Sequence, residues 1–380
     1  MIKKLLLIAL LIFSANSVCA KDTLILLSNF DNVGDRNQLL GIAKAYKGDP
    51  KVEEINTKEV SASTIRAKVT KTAIDNKVIV IGSGEGSMLS VQELTPQKNV
   101  VICLSSHVIL DGYNNPSLME KVDFLALPGH ASKGVAEGWQ KKLILTTGFS
   151  HNRQREDAQK AYNLGKDTLP ACKSYLGIYL AGDAPTPSKE IKLFTKDEAE
   201  KLAVYIANQV DDSCILILNG PRTGKHDKDK QEIKTAHRDG KLDHVTAAFK
   251  VKLESKIGPE KVHIIDFQFN GPQLGYNTFD LVLGALLEKK GKIFVPGEST
   301  SVISEAIDVL GDPKKITIYK NGAMSEAHEN HVMSEGNAGR ASVLADTSGT
   351  PMTLSSTENK GPTKSSAQTI AEKLWLAVHQ

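Results

Sequence analysis

KIFVPGESTSVISEAIDVLG, residues 292–311, decides the fold. Ile293-Phe294-Val295 reads as a short buried strand, and Pro296-Gly297 breaks it. After Glu298 come Ser299, Thr300 and Ser301. An amphipathic helix follows, with Val302, Ile303, Ala306, Ile307 and Leu310 on one side. A strand that turns tightly into a helix leaves the first backbone N–H groups of that helix unpaired. Together they carry about half a positive charge. With hydroxyls beside them they form an anion site, typically for phosphate. Glu305 falls one turn in, placed to accept hydrogen bonds from a sugar or ribose diol. The alternative is plain: Ser299 or Thr300 caps the helix and does nothing else.

Working outward, strands and helices alternate twice along the chain. Strands are predicted at Thr23–Leu27, Val52–Ile55, Val78–Ile81, Val100–Leu104, Phe124–Leu127 and Leu143–Leu145. A second series follows at Tyr175–Ala181, Cys214–Leu218, 262–266, 293–295 and 316–319. The strands are continuous apolar runs, as in parallel sheets buried on both faces. Residues 165–174 carry no strong pattern and read as the linker. The expectation is an α/β chain of two doubly wound Rossmann-like domains facing a central cleft, at 21–165 and 175–345. An irregular Ser/Thr/Gly/Pro-rich tail and a closing helix fill 346–380, the helix crossing back onto the first domain.

Candidate ligand residues stand at predicted strand ends, where open α/β sheets keep their ligands. After the first strand, Gly34 breaks the loop, Asp35 is the expected helix cap, and Asn37 and Gln38 fall in the first turn, facing either a ligand or water. Gly82-Ser83-Gly84-Glu85-Gly86-Ser87 reads as a tight turn that lets a ligand or the other domain approach. His130 stands just past the fifth strand, as a general base or as a partner for its own loop. Gly182 ends the strand from Tyr175. Asn219 to Lys225 superficially suggests a Walker A loop but lacks its spacing, and His226 replaces the hydroxyl residue. Arg222 and Thr223 there can still grip a phosphate. Residues 226–243 are heavily charged and read as an exposed excursion, and His328, Glu329 and His331 as solvated helix residues.

Residues 1–20 differ from the rest. Lys3 and Lys4 precede an apolar run, Leu5 to Phe13, and the segment ends Val18-Cys19-Ala20. That is the form of a cleaved secretory signal, too short for the ~20 residues a membrane span needs. Export to the periplasm or outside is the expectation, with no other membrane association. Beyond it stand Cys103, Cys172 and Cys214, an odd count without close pairs that suggests no disulfide framework and no metal site. Cys103 and Cys214 read as buried strand thiols. Of the 380 residues 5% are aromatic and the net charge is +3, without a basic stripe, which excludes nucleic acid as the expected partner. No cofactor or metal is expected.

Three segments resemble the mitochondrial fission ELM-type family. NVGDRNQLLGIAKAY (32–46) is similar to its G-x-x-N-Q-x-x-G-L-A segment at Gly34, Asn37, Gln38, Gly41 and Ala43. VDFLALPGHA (122–131) and LILTTGFSH (143–151) resemble its F-D-x-x-x-x-P-x-H-D strand and T-T-G-A-x-H turn. PGESTSVISEA (296–306) is close to D-S-x-S-M-x-S-E-A. Ala131 stands where that family has Asp, Glu298 replaces its Asp, and the turn at 219–223 has one arginine fewer. The resemblance implies a glycosyltransferase-B-like fold binding a nucleotide sugar or other phosphorylated ligand between the domains. Residues implied to bind are Gly34, Asn37, Gln38, Gly182, Arg222, Thr223, Glu298, Ser299, Thr300, Ser301 and Glu305, with His130 as base for glycosyl transfer. The rival expectation is an exported binding or host-interaction protein that keeps the cleft without the chemistry.

Overall fold

The computed structural model describes residues 21–186, 189–354 and 364–380. The expected signal segment and part of the expected tail lie outside them. Two compact units emerge. One holds residues up to Leu127, Gly134–Leu145 and Ala367–Gln380; the other holds Pro128–Lys133 and Thr146–Ser366.

In the first unit the strands are β1 (Thr23–Ser28), β2 (Lys51–Asn56), β3 (Val78–Ser83), β4 (Val100–Ser105), β5 (Phe124–Pro128) and β6 (Leu143–Thr146). Helices α1 (Val33–Ala45), α2 (Ala62–Thr72), α3 (Glu85–Gln92) and α4 (Pro116–Lys121) alternate with them. The sheet order is β2-β1-β3-β4-β5-β6, with parallel pairing of β1 to β2 and β3, and of β4 to β3 and β5. Successive side chains of a strand point to opposite faces. Ile25 and Leu27 therefore pack with Ile65, Val69 and Val91 on one face, and Leu24 and Leu26 with Leu39 and Ile42 on the other.

The second unit contains α5 (Arg155–Gly165), β7 (Tyr175–Tyr179), a small antiparallel pair β8 (Ala184–Pro185) and β9 (Ile191–Lys192), and α6 (Lys196–Ala207). It continues with β10 (Cys214–Leu218), α7 (His244–Ile257), β11 (Val262–Ile265), α8 (Thr278–Glu288), β12 (Lys292–Pro296), α9 (Thr300–Leu310), β13 (Ile316–Tyr319), α10 (Glu326–Asn337) and β14 (Ser342–Leu344). The sheet is parallel, ordered β11-β10-β7-β12-β13-β14. Counted from β7 this is the 3-2-1-4-5-6 order of a dinucleotide-type Rossmann domain. The strand order reverses between β7 and β12, and between β1 and β3 in the first unit. A final helix, α11 (Ser366–His379), buries Ile370, Ala371 and Leu374 against the first sheet, as expected.

Several expectations change. The division does not fall at 165–175: α5 belongs to the second unit, where Ala158 and Ala161 join its core. A Cβ on Gly284 would fall on the Ala158 carbonyl, so α5 and α8 touch backbone to backbone. Cys172 and Cys214 form a disulfide, fastening the expected linker to the start of β10, and Cys103 is a buried free thiol. The cap of α1 is Asn32, whose side chain accepts from the Asp35 N–H, and Asp35 itself is buried in the first turn. The Gly82–Ser87 turn is tight and lets Asp35 approach: a Cβ on Gly84 (φ 76°) would fall on the Asp35 carboxylate. Among the described residues no helix is long and apolar enough to cross a membrane.

Candidate functional site

The turn after β12 rises at the point where β7 and β12 part, the position where sheets of this order receive ligands. Glu298 is buried at its base. Its Oε1 accepts from the Gly182 N–H (2.8 Å) and its Oε2 from Asn321 Nδ2 (2.8 Å), so the carboxylate ties β12 to the ends of β7 and β13. Burial raises its pKa, against the pull of those two donors. Both oxygens are thus spent within the protein.

Ser299 follows as the N-cap of α9, and its side chain makes no capping bond. Ser299 and Thr300 are half-buried and Ser301 is exposed. The sequence left open whether these hydroxyls merely cap the helix, and for Ser299 they do not. The helix behind them is held firmly: Ile303, Ala306, Ile307 and Leu310 are core residues, and Gly311 (φ 66°) closes it in the left-handed conformation that favours glycine.

Gly182 and the turn after β10 form the adjoining edge. The Arg222 carbonyl accepts from the Asp183 N–H at 2.9 Å, and a Cβ on Gly182 would stand 2.8 Å from Arg222 Cβ. Glycine is therefore what lets these two strand ends close up. The Arg222 side chain is exposed and has no hydrogen-bond or ion-pair partner among the described residues. Its charge lowers the pKa of Glu298 and, after burial, that of His328. Thr223 is 1% exposed, and its Oγ accepts from the Gly220 N–H at 3.1 Å, so its hydroxyl shapes the turn.

Glu305 does not stand free. Its Oε2 accepts from Arg153 Nε at 2.9 Å, and the same guanidinium pairs with Asp280 and lies over the Phe279 ring. Burial works against the Arg153 charge, but Glu305 and Asp280 outweigh it and the pKa is raised. Glu305 Oε1 has no protein donor among the described residues.

His130 sits on a short turn, Gly129–Ala131, and is half-buried. Burial lowers its pKa, so the ring is neutral near pH 7, as a base requires. Its ring lies 5.2 Å from that of His331 and 6.0 Å from Phe149. His331 is not a solvated residue: it is fully buried, and burial holds its pKa well below the usual range. His328 is likewise bound, its Nδ1 accepting from the Ser325 N–H. One helical turn on, Glu335 is buried 3.3 Å from Arg340, which also donates to Asp308 Oδ1 (2.5 Å) and to the Thr147 carbonyl (2.6 Å). The sequence reading placed His331 in solvent and singled out neither Arg153 nor Glu335, although the i,i+4 spacing of His331 and Glu335 was visible.

The first unit's candidates stand on α1. Gly34 is exposed in its first turn, Asn37 is half-buried and not without a partner, and Gln38 is buried.

Two parallel Rossmann-like domains in one chain are the fold class of glycosyltransferase-B-like proteins. No family model and no curated protein matches the sequence. Similar solved structures include a UDP-GlcNAc 2-epimerase from Neisseria meningitidis bound to UDP-GlcNAc, at 12% identity over 94% of this chain and 91% of that one, TM-score 0.44. A UDP-glucosyltransferase from Polygonum tinctorium shares 8% identity over 95% and 99%, TM-score 0.43. The S. aureus MnaA–UDP structure shares 11% over 93% and 87%, TM-score 0.39. No residue role passes from these likenesses to this chain.

Proposed function

We propose that this chain binds a nucleotide sugar or another phosphorylated small molecule, with a phosphate seated on the start of α9. One observation carries this reading. At the point where β7 and β12 part, the first-turn N–H groups of α9 stand beside a Ser299 hydroxyl that caps nothing. The uncommitted guanidinium of Arg222 borders the same edge and supplies the countercharge. Gly182, Thr223 and Glu298 hold that edge in shape, and Glu305 Oε1 is the acceptor for a sugar or ribose hydroxyl. On α1, Gly34, Asn37 and Gln38 are the ligand contacts proposed within the first unit.

Glycosyl transfer is the reaction such a site would serve. The leaving diphosphate would be neutralised by the helix N–H groups and Arg222, without a metal. His130, neutral through burial, would take the acceptor hydroxyl proton.

A second reading, an exported binding protein without chemistry, has its own support. The Cys172–Cys214 disulfide suits an oxidising compartment, and so does the signal-like start of the chain. Nucleotide sugars are made in the cytoplasm and are scarce outside it. Calorimetric titration with UDP and UDP-sugars, followed by a turnover assay, separates the readings. Binding with turnover that His130→Ala abolishes supports transfer. Binding without turnover leaves the second reading, and no binding to wild type overturns both.

A further inference from the structure

Residues 226–243, expected as an exposed excursion, are organised around a buried residue. His237 is 1% exposed and sits in the left-handed backbone region at φ 57°, a conformation that residues with a Cβ adopt at a cost. Its ring explains why the segment is held there. Nε2 lies 2.7 Å from the Thr223 carbonyl oxygen, and Nδ1 lies 3.1 Å from the Phe267 carbonyl oxygen. Carbonyl oxygens only accept, and a neutral imidazole has one N–H. Both contacts are hydrogen bonds only if both nitrogens carry protons.

The surroundings suit a cation. Asp243, the cap of α7, lies 3.8 Å from Nε2, and Asp266, just past β11, lies 3.9 Å from Nδ1. Asn219 Nδ2 bridges the two carboxylates, at 3.1 Å from Asp243 and 2.7 Å from Asp266. Arg238, the next residue, turns its guanidinium over the Phe269 ring. Burial opposes the charge on His237, but Asp266, the Thr223 carbonyl and Asp243 outweigh it, and its pKa is raised. That of Asp266 is lowered despite burial, with His237 the leading cause, so the two partners agree. The three side chains also bring ligand-type atoms within 4.8 Å of one another. With both ring nitrogens spent on carbonyls, however, the imidazole has no lone pair for a metal ion.

We propose that His237 is a buried imidazolium that positions the Gly220–Gly224 turn, and with it Arg222, so that the turn's grip on an anionic ligand depends on that one proton. The clamp on the turn stands on its own geometry; the grip rests on the anion site proposed above. A histidine with a raised folded pKa stabilises below the pKa of the free side chain and loses that stabilisation as pH rises through the folded value. The turn is therefore held below the pKa of free histidine and released as the pH rises through the raised value.

The test is nitrogen-resolved NMR of the full chain labelled at histidine and backbone nitrogen. At pH 6, below the pKa of free histidine, both His237 ring nitrogens should carry protons. On raising the pH the ring should lose one above the pKa of free histidine, and the amides of Gly220, Thr223 and Phe267 should shift along the same curve. Asp266→Asn should move that curve to lower pH. UDP, used as the probe, should weaken in step with it, while Arg222→Ala should weaken UDP and leave the His237 curve in place. A ring neutral at pH 6, turn amides that ignore its titration, or an Asp266→Asn curve unmoved would overturn the clamp. Absence of UDP binding at every pH would fell the anion site, while the amide titration still decides the clamp.

Discussion

The two points where strand order reverses are built from similar parts and finished differently. In the first unit, between β1 and β3, Asp35 fills the position: Ser83 Oγ donates to its Oδ1 at 2.9 Å and Asn32 Nδ2 to its Oδ2 at 2.6 Å. Asn32 also caps α1. Acid, hydroxyl and cap are all consumed locally. In the second unit, between β7 and β12, the acid is Glu298, sunk below the turn and bonded to Gly182 and Asn321. The hydroxyls above it are left without a cap to make. One point is closed by its own side chains and the other is braced from beneath and free on top. Changes at the first should therefore cost stability, and changes at the top of the second should cost binding.

The largest effect expected is Gly84→Ala. It forces a side chain to φ 76° and sets a Cβ on the Asp35 carboxylate. Backbone strain and overpacking together give a loss of about 4 kcal/mol. Urea unfolding should show it as a lowered midpoint, with UDP affinity of the folded protein unchanged. A stable Gly84→Ala would mean that the first point is not closed as described.

Next comes a pH effect confined to the second unit. Burial raises the Glu335 carboxyl from 4.5 to about 7, partly offset by Arg340. Its folded pKa lies above its unfolded one, so its contribution is fully present below pH 4.5 and lost as pH rises through about 7. By linkage the loss is on the order of 3 kcal/mol in mild alkali. Glu335→Gln removes the titration. Thermal melts should find this variant no more stable than wild type at pH 5 and more stable at pH 9. Parallel melting curves across that range would contradict the assignment.

Arg222→Ala reverses the pattern of Gly84→Ala. The side chain is exposed and bonded to nothing among the described residues, so stability should change by less than about 0.5 kcal/mol. If it meets a phosphate, one charge-assisted contact is lost, about 2 kcal/mol or roughly thirtyfold in the UDP dissociation constant. Calorimetry measures the second quantity and urea unfolding the first.

Both sheets and most helices were legible because their strands are unbroken apolar runs and their helices carry caps, such as the Thr195–Glu198 capping box. Three kinds of feature were not. β14, Ser342-Val343-Leu344, is too short for any pattern, and only its pairing with β13 makes it a strand. The Cys172–Cys214 pair spans 42 residues, and nothing local announces that the fold brings such distant thiols together. His237 and His331 lie in polar, charged stretches, and their burial comes from elements far along the chain. At the site, the hydroxyl turn was legible as chemistry. Which of its polar atoms were already taken was not: Arg153 holds Glu305, and Asn321 with Gly182 holds Glu298. Occupancy of a side chain is a tertiary fact.

The smallest effect is the sharpest test of the contrast, because it sets two helix caps against each other. Asn32→Ala removes a side chain that accepts from the Asp35 N–H at 3.3 Å and donates to the Asp35 carboxylate. A working cap is worth about 1 kcal/mol, so urea unfolding should show that loss with UDP binding untouched. Ser299→Ala removes a hydroxyl in the same position on α9 that bonds to nothing in the helix. It should leave the unfolding midpoint in place and weaken UDP by about fivefold, the worth of one net hydrogen bond near 1 kcal/mol. If Ser299→Ala instead destabilises like Asn32→Ala and leaves UDP alone, the hydroxyl is a cap after all. The two reversal points would then differ in detail but not in purpose.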